Sequence, residues 1–313
     1  MAVPPRWSAA WLIALVLFLN HLARDVPGTV EAAVTKEKHR LHATPAQFAR
    51  MTAAWFAPSV ATPLMAGMAA PKLGGTKAVW LAALLVCLVG HATAAVAAGR
   101  ADFNGVFAGR VVAGGSYEIV DMLFIGFVSP LFGDGTWGTF SGVVNGSARA
   151  GSIAIFAAAP ALLAWAGLPS VFYAAAVAFL VAAAAGVAAV VATNAAEKEE
   201  AAKDANDEAG VGDNREEEGD ALLESSHEAL ATPSKTTTVA SDLQAFSLSW
   251  WLYCLAGFAL YSSVVPFWFF GARLLATRGH LSAETATNLM VVPEGALVFV
   301  SLPVGILVDR YRG

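Results

Sequence analysis

Residues 103–131 read FNGVFAGRVVAGGSYEIVDMLFIGFVSPL, and the fold turns on how this stretch is interpreted. It is long enough to cross the hydrocarbon layer as a helix, which takes roughly 20 apolar residues. Yet it holds Arg110, Glu118 and Asp121. Charged groups inside a spanning helix are costly and face a partner or a water-filled path. Arg110, Gly114 and Glu118 stand four apart and stack on one helical face, which Asp121 continues. The stretch therefore predicts a membrane helix with a polar, functional side.

The rest of the chain agrees with a membrane environment. Of its 313 residues, 57% are hydrophobic and only 14% charged, against roughly 25% charged in an ordinary soluble domain. Apolar stretches bounded by charge, Pro or Gly recur eight times: 7–33, 48–70, 78–98, 103–131, 137–166, 168–192, 246–272 and 286–308. They are continuous and rich in Ala, Leu and Val, whereas a β-barrel shows short alternating segments. The first is read as a helix rather than a cleaved signal peptide, because it runs on through Arg24, Asp25 and Pro27. The prediction is an all-α polytopic membrane protein with eight transmembrane helices. Small residues, such as the run from Gly142 to Gly151, allow the close helix contacts that packing in lipid needs.

The net charge of −5 conceals a split. Residues 194–242 hold 14 of the 24 acidic groups and 4 of the 19 basic ones, with few bulky apolar residues. Such a composition buries too little surface to offset its ordering entropy, so a disordered acidic loop is expected between six helices and two. The organisation is then 1–193, a six-helix bundle; 194–242, the loop; and 243–313, the first two helices of a second bundle.

Several chemistries are excluded. No clustered basic face exists to neutralise phosphates, so nucleic acid is not a partner. Cys87 and Cys254 lie in apolar stretches and read as buried small hydrophobes. The histidines lack metal-ligand spacing. With no phosphate-cradling loop and no nucleophile motif, neither an ATP-driven pump nor an enzyme is indicated, and no cofactor or metal is expected.

What remains is charge within the helices: Arg24 and Asp25 in the first, Arg110, Glu118 and Asp121 in the fourth, Arg149 in the fifth and Glu294 in the eighth. Arg149 sits among small residues in Asn145-Gly-Ser-Ala-Arg-Ala-Gly-Ser152, which leaves its guanidinium unobstructed. An Arg and a Glu on adjacent helices in low dielectric suit the two ends of a zwitterion, the Arg fork taking a carboxylate. Equally, Glu118 and Arg149 pair with each other, or with Arg110 and Asp25, and lock the bundle.

At these residues the chain resembles the major facilitator superfamily. Gly109-Arg110-Val-Val-Ala-Gly114-Gly115 looks like that family's helix 4 motif, and Gly305-Ile-Leu-Val-Asp309-Arg310-Tyr-Arg312 like its loop signature after helix 8, where the Asp and Arg hold a helix end. The matching loop after helix 2 has Pro71 where the pattern has Asp. Within the family the chain is similar to the lysosomal dipeptide transporters, through Asp25-Val-Pro27, the Arg110 to Glu118 spacing, Ser147-Ala-Arg149-Ala-Gly-Ser152, Pro266-Phe267 and Pro303-Val-Gly305.

The resemblance implies a uniporter that exports dipeptides, favouring cationic ones, from the lysosome lumen to the cytosol, with Glu118 at the substrate's ammonium and Arg149 at its carboxylate. Asp25, Arg110, Asp121 and Glu294 are supporting intramembrane charges. It further implies a homodimer, a glycosylated lysosomal membrane protein as accessory partner, and a cytosolic N-terminus and 194–242 loop; loop Lys and Arg counts leave the orientation open. In that loop, Glu218 stands four residues before Leu222-Leu223, the acidic dileucine pattern that sorting adaptors read. Two other readings remain. Gly313 falls just after the eighth helix, where the family has four more, so a non-transporting truncated paralogue or interaction subunit is one. A facilitator for another small solute, such as a sugar, is the other.

Overall fold

The computed structural model describes residues 4–35, 41, 43–59, 61–132, 135–210 and 246–312. No strand occurs among them. The helices are α1 (Pro5–Thr35), α2 (Pro45–Ser59), α3 (Thr62–Ala69), α4 (Thr76–Gly99), α5 (Phe103–Leu123), α6 (Ile125–Val128), α7 (Trp137–Ala166), α8 (Leu168–Gly210), α9 (Leu248–Arg278), α10 (Ala283–Leu289) and α11 (Val291–Arg312). Among the described residues, seven segments are long and apolar enough to cross a membrane: Pro5–Glu31, Thr76–Gly99, Phe103–Leu131, Trp137–Ala166, Leu168–Lys203, Leu248–Arg278 and Ala283–Tyr311. The protein is a multi-pass membrane protein.

Two departures from the sequence expectation have plain physical causes. The expected second span, 48–70, is two helices rather than one, α2 of 15 residues and α3 of 8. Pro63 sits in the first turn of α3 and Pro58 inside the end of α2. A proline ring clashes with the preceding turn and removes a hydrogen-bond donor, so the helix restarts between them. At the other end of the bundle, α8 does not stop near 193 but runs to Gly210, through residues placed in a disordered loop. Their Ala, Glu and Lys are strong helix formers, and the Glu199–Lys203 pair at 2.6 Å adds support one turn apart. The dileucine residues Glu218, Leu222 and Leu223 lie outside the described residues, as does most of the loop.

The chain forms two compact units, Met1–Ala196 with Pro266–Gly313, and Glu197–Val265. In the smaller unit, Phe246 stacks on Trp250 at 4.2 Å and Trp250 meets Trp251 edge-on at 4.7 Å. Cys254 of that unit is exposed, unlike buried Cys87, which contradicts the expectation for it.

The larger unit is held by glycine-mediated approaches. Helix pairs packed along much of their length in it include α4 with α5, α7 with α11, and α1 with α7. A Cβ on Gly90 would meet the Ala113 backbone nitrogen at 2.5 Å, and one on Gly142 the Ser301 carbonyl at 2.7 Å. Gly151 lies equally close to the Phe18 backbone. These contacts bring helix axes together where lipid supplies no hydrophobic drive, and they fix the side chains that line the site. Trp80 Nε1 donates to the Val120 carbonyl at 2.9 Å, pinning α4 to α5.

Asp309 near the end of α11 accepts from the backbone nitrogens of Gly138 and Thr139, both at 2.6 Å. Those are free donors of the first turn of α7, so the carboxylate satisfies two of them and faces the positive end of the helix dipole. Gly305 packs against Gly138 one turn earlier. Arg310 is exposed and forms no ion pair among the described residues. The helix end is thus held through Asp309 and Gly305.

Candidate functional site

Helix α1 carries a polar stripe, Asn20, His21, Arg24 and Asp25, each with relative exposure of 5% or less. A spanning helix keeps such a stripe only if other helices satisfy it. Helix α5 does so through three residues. Arg110 donates to the carbonyls of Ala23 at 3.2 Å and Arg24 at 2.9 Å. The Tyr117 hydroxyl accepts from Arg24 Nη1 at 3.0 Å and lies 3.0 Å from His21 Nε2. Asp121 accepts from Asn20 Nδ2 at 2.6 Å, and its other oxygen is 3.1 Å from His21 Nε2.

Arg24 is the hub. Its Nε and Nη2 make a forked pair with Asp25 at 2.6 and 3.0 Å, and its guanidinium lies over the Trp268 ring, 5.0 Å from the centroid. Ser152 of α7 is at 3.5 Å. Fully buried ion pairs persist where the geometry is bidentate and further donors and acceptors close the network. That holds here.

Arg149 of α7 is placed differently. Its guanidinium covers the Trp268 ring at 4.7 Å. Its Nη1 lies 3.6 Å from Glu294 Oε2, an ion pair longer than a hydrogen bond. Nη1 and both Glu294 oxygens are buried without a hydrogen-bond partner. The pair neutralises itself while leaving fork donors and carboxylate acceptors unused. Glu118 is partly buried and makes no hydrogen bond or ion pair among the described residues; the Asp121 carboxylate and the Arg24 guanidinium act on it electrostatically.

The structure therefore sorts the residues singled out in the sequence. Asp25 is committed to Arg24 and Asp121 to α1. Arg110 is committed to α1 carbonyls and stacks on Trp55 at 3.6 Å. The bundle-locking pairs expected between Glu118, Arg149, Arg110 and Asp25 do not form: Arg149 pairs with Glu294, and Arg24 takes Asp25. The face of α5 that meets α1 runs through Arg110, Tyr117 and Asp121, with Glu118 one residue aside. Sequence reasoning passed over Tyr117, His21, Asn20 and Trp268. The Asn20-His21 step in an otherwise apolar helix is the signal that points to two of them; Trp268 has none, because an aromatic residue in an apolar stretch is unremarkable.

Elsewhere, an apolar groove of about 830 Å³ between α1, α7 and α8 is lined by Leu22, Ile155 and Trp165 among others, and no charged residue lines it. The chemistry sits at the charged cluster.

These features belong to a polytopic helical bundle with ionisable groups gathered inside it. The sequence model of the Major Facilitator Superfamily matches residues 13–313, and the chain belongs to that family of secondary transporters of small solutes, which are not enzymes. No curated protein and no solved structure matches the chain.

Proposed function

We propose that this transporter is a uniporter of dipeptides, favouring cationic ones, that moves them from the lysosome lumen to the cytosol by alternating access. The motifs resemble those of major facilitator superfamily domain-containing protein 1, the lysosomal dipeptide transporter. Arg149 takes the substrate's carboxylate and Glu118 its ammonium, while the Arg24–Asp25 pair, Arg110 and Asp121 hold α1, α5 and α7 in register around them. A homodimer, a glycosylated lysosomal accessory protein and adaptors reading Glu218, Leu222 and Leu223 are the partners in this reading.

The observation that carries it is the incompleteness of Arg149. A half-buried guanidinium with a 3.6 Å counter-ion and a buried, unpartnered Nη1 gains charge-assisted hydrogen bonds when a carboxylate arrives. Arg24, by contrast, is already satisfied. Glu118, the carboxylate without a partner of its own, suits the ammonium end. A sugar needs neither a free guanidinium nor a free carboxylate.

Uptake of a labelled cationic dipeptide into liposomes containing the full chain tests the reading. Glu118→Gln and Arg149→Ala should each reduce it at least tenfold. Unchanged uptake in both variants overturns the site assignment, and no uptake by the unaltered protein overturns the substrate.

A further inference from the structure

We infer that Glu294 selects substrates of net charge +1: displaced from Arg149 by the substrate carboxylate, it receives the substrate's cationic side chain. The inference rests on the dipeptide reading above and adds to it a residue that sets side-chain preference.

Glu294 stands in the first turn of α11 with 1% relative exposure. Neither of its oxygens accepts a hydrogen bond, although an ionised carboxylate offers about four acceptor positions. Its ion-pair partner is Arg149 at 3.6 Å. A buried carboxylate in this condition is stabilised by charge alone, so anything that removes Arg149 from it leaves an uncompensated buried charge, which is strongly unfavourable. Binding of a substrate carboxylate to Arg149 does that.

The charge count of the cluster points the same way. Arg24, Arg110 and Arg149 supply three positive charges; Asp25, Glu118, Asp121 and Glu294 supply four negative ones. Arg24 acts electrostatically on each of these carboxylates and on Arg110, so they form one electrostatic unit. His21 does not restore the balance. Its Nδ1 is buried without a partner, which fits a neutral imidazole, since the imidazolium would leave an N–H there unpaired. With all four carboxylates ionised, the empty cluster carries one net negative charge.

A dipeptide with an uncharged side chain is a zwitterion and leaves that count unchanged. Its carboxylate occupies Arg149, its ammonium Glu118, and Glu294 is stranded. A dipeptide with a Lys or Arg side chain brings one further cation, pairs Glu294 again and makes the cluster neutral. Preference for cationic substrates then follows from the cost of stranding Glu294, without a dedicated side-chain pocket.

The test compares liposome uptake of one cationic and one neutral dipeptide by the full chain and by Glu294→Gln and Glu294→Asp. In Glu294→Gln the cationic-over-neutral ratio should fall about tenfold or more, with neutral uptake rising. Glu294→Asp, which keeps the charge, should retain the ratio. An unchanged ratio in Glu294→Gln overturns the inference and leaves the dipeptide reading standing. So does loss of both substrates in Glu294→Gln alongside normal transport in Glu294→Asp, because the charge then serves transport in general. Equal uptake of both dipeptides by the unaltered protein, with or without a proton accompanying the neutral one, also overturns it. No dipeptide uptake at all fails both.

Discussion

Asp309 Oδ1 accepts a hydrogen bond from the Gly138 backbone nitrogen at 2.6 Å, across 171 positions of sequence. One carboxylate near the end of α11 thereby finishes the N-terminus of α7, the helix that carries Arg149. The contact ties a loop motif to the site, because the position of α7 depends on it.

Asp309→Ala should lower the stability of the detergent-solubilised protein by about 0.5–2 kcal/mol, the usual cost of removing an N-terminal helix cap. Thermal unfolding followed by size-exclusion chromatography reads this. Asp309→Asn keeps one acceptor and should lose less; equal stability of all three proteins would show that the cap contributes nothing.

Removing one half of the Arg24–Asp25 pair should be far more damaging. Asp25→Ala leaves a buried guanidinium without its forked counter-ion, its remaining hydrogen bonds going to neutral hydroxyls, Tyr117 at 3.0 Å and Ser152 at 3.5 Å. The expected loss is about 3–5 kcal/mol, enough to abolish a monodisperse elution peak. A variant that elutes normally and unfolds within a degree or two of the parent contradicts the network described here.

Glycine positions divide into two sets that a single measurement separates. Gly142→Ala forces its Cβ to 2.7 Å from the Ser301 carbonyl, so α7 and α11 must part, and stability and transport should both fall. Gly67→Ala has no atom within 4 Å and should stabilise α3 by up to about 1 kcal/mol through helix propensity. Loss at both positions, or at neither, would mean that the approach of α7 to α11 is not what the glycines serve.

The helical extension of α8 predicts slow amide exchange. Residues 194–203 should be protected by at least roughly tenfold over a random chain, while a disordered loop shows no protection. The Lys77 ammonium donates to Asn194 Oδ1 at 2.7 Å, so protection should be strongest at that end.

Most of the fold was legible because apolar length bounded by charge is a local signal. What was missed locally was still written in the chain: Pro58 and Pro63 mark the break between α2 and α3, and the Ala-Glu-Lys content beyond 194 favours helix even where it cannot build a core. The site was legible only as a set of residue types. That Arg149 faces Glu294 rather than Glu118, that Asp25 belongs to Arg24, and that Trp268 lies beside both guanidiniums depend on which helices lie side by side, and no periodicity within one helix carries that information. Arg110 illustrates the point. Its charge is visible in sequence, but its acceptors are backbone carbonyls of α1, which every residue possesses.

The central claim is that Arg149 receives the substrate's carboxylate. Its most direct test compares uptake of a cationic dipeptide with that of its C-terminal amide, in the parent protein and in Arg149→Ala. The account predicts that the parent discriminates against the amide roughly 30-fold or more, equivalent to about 2 kcal/mol for a buried charged hydrogen bond, and that Arg149→Ala transports both equally slowly. Full discrimination surviving in Arg149→Ala, or none in the parent, would contradict it.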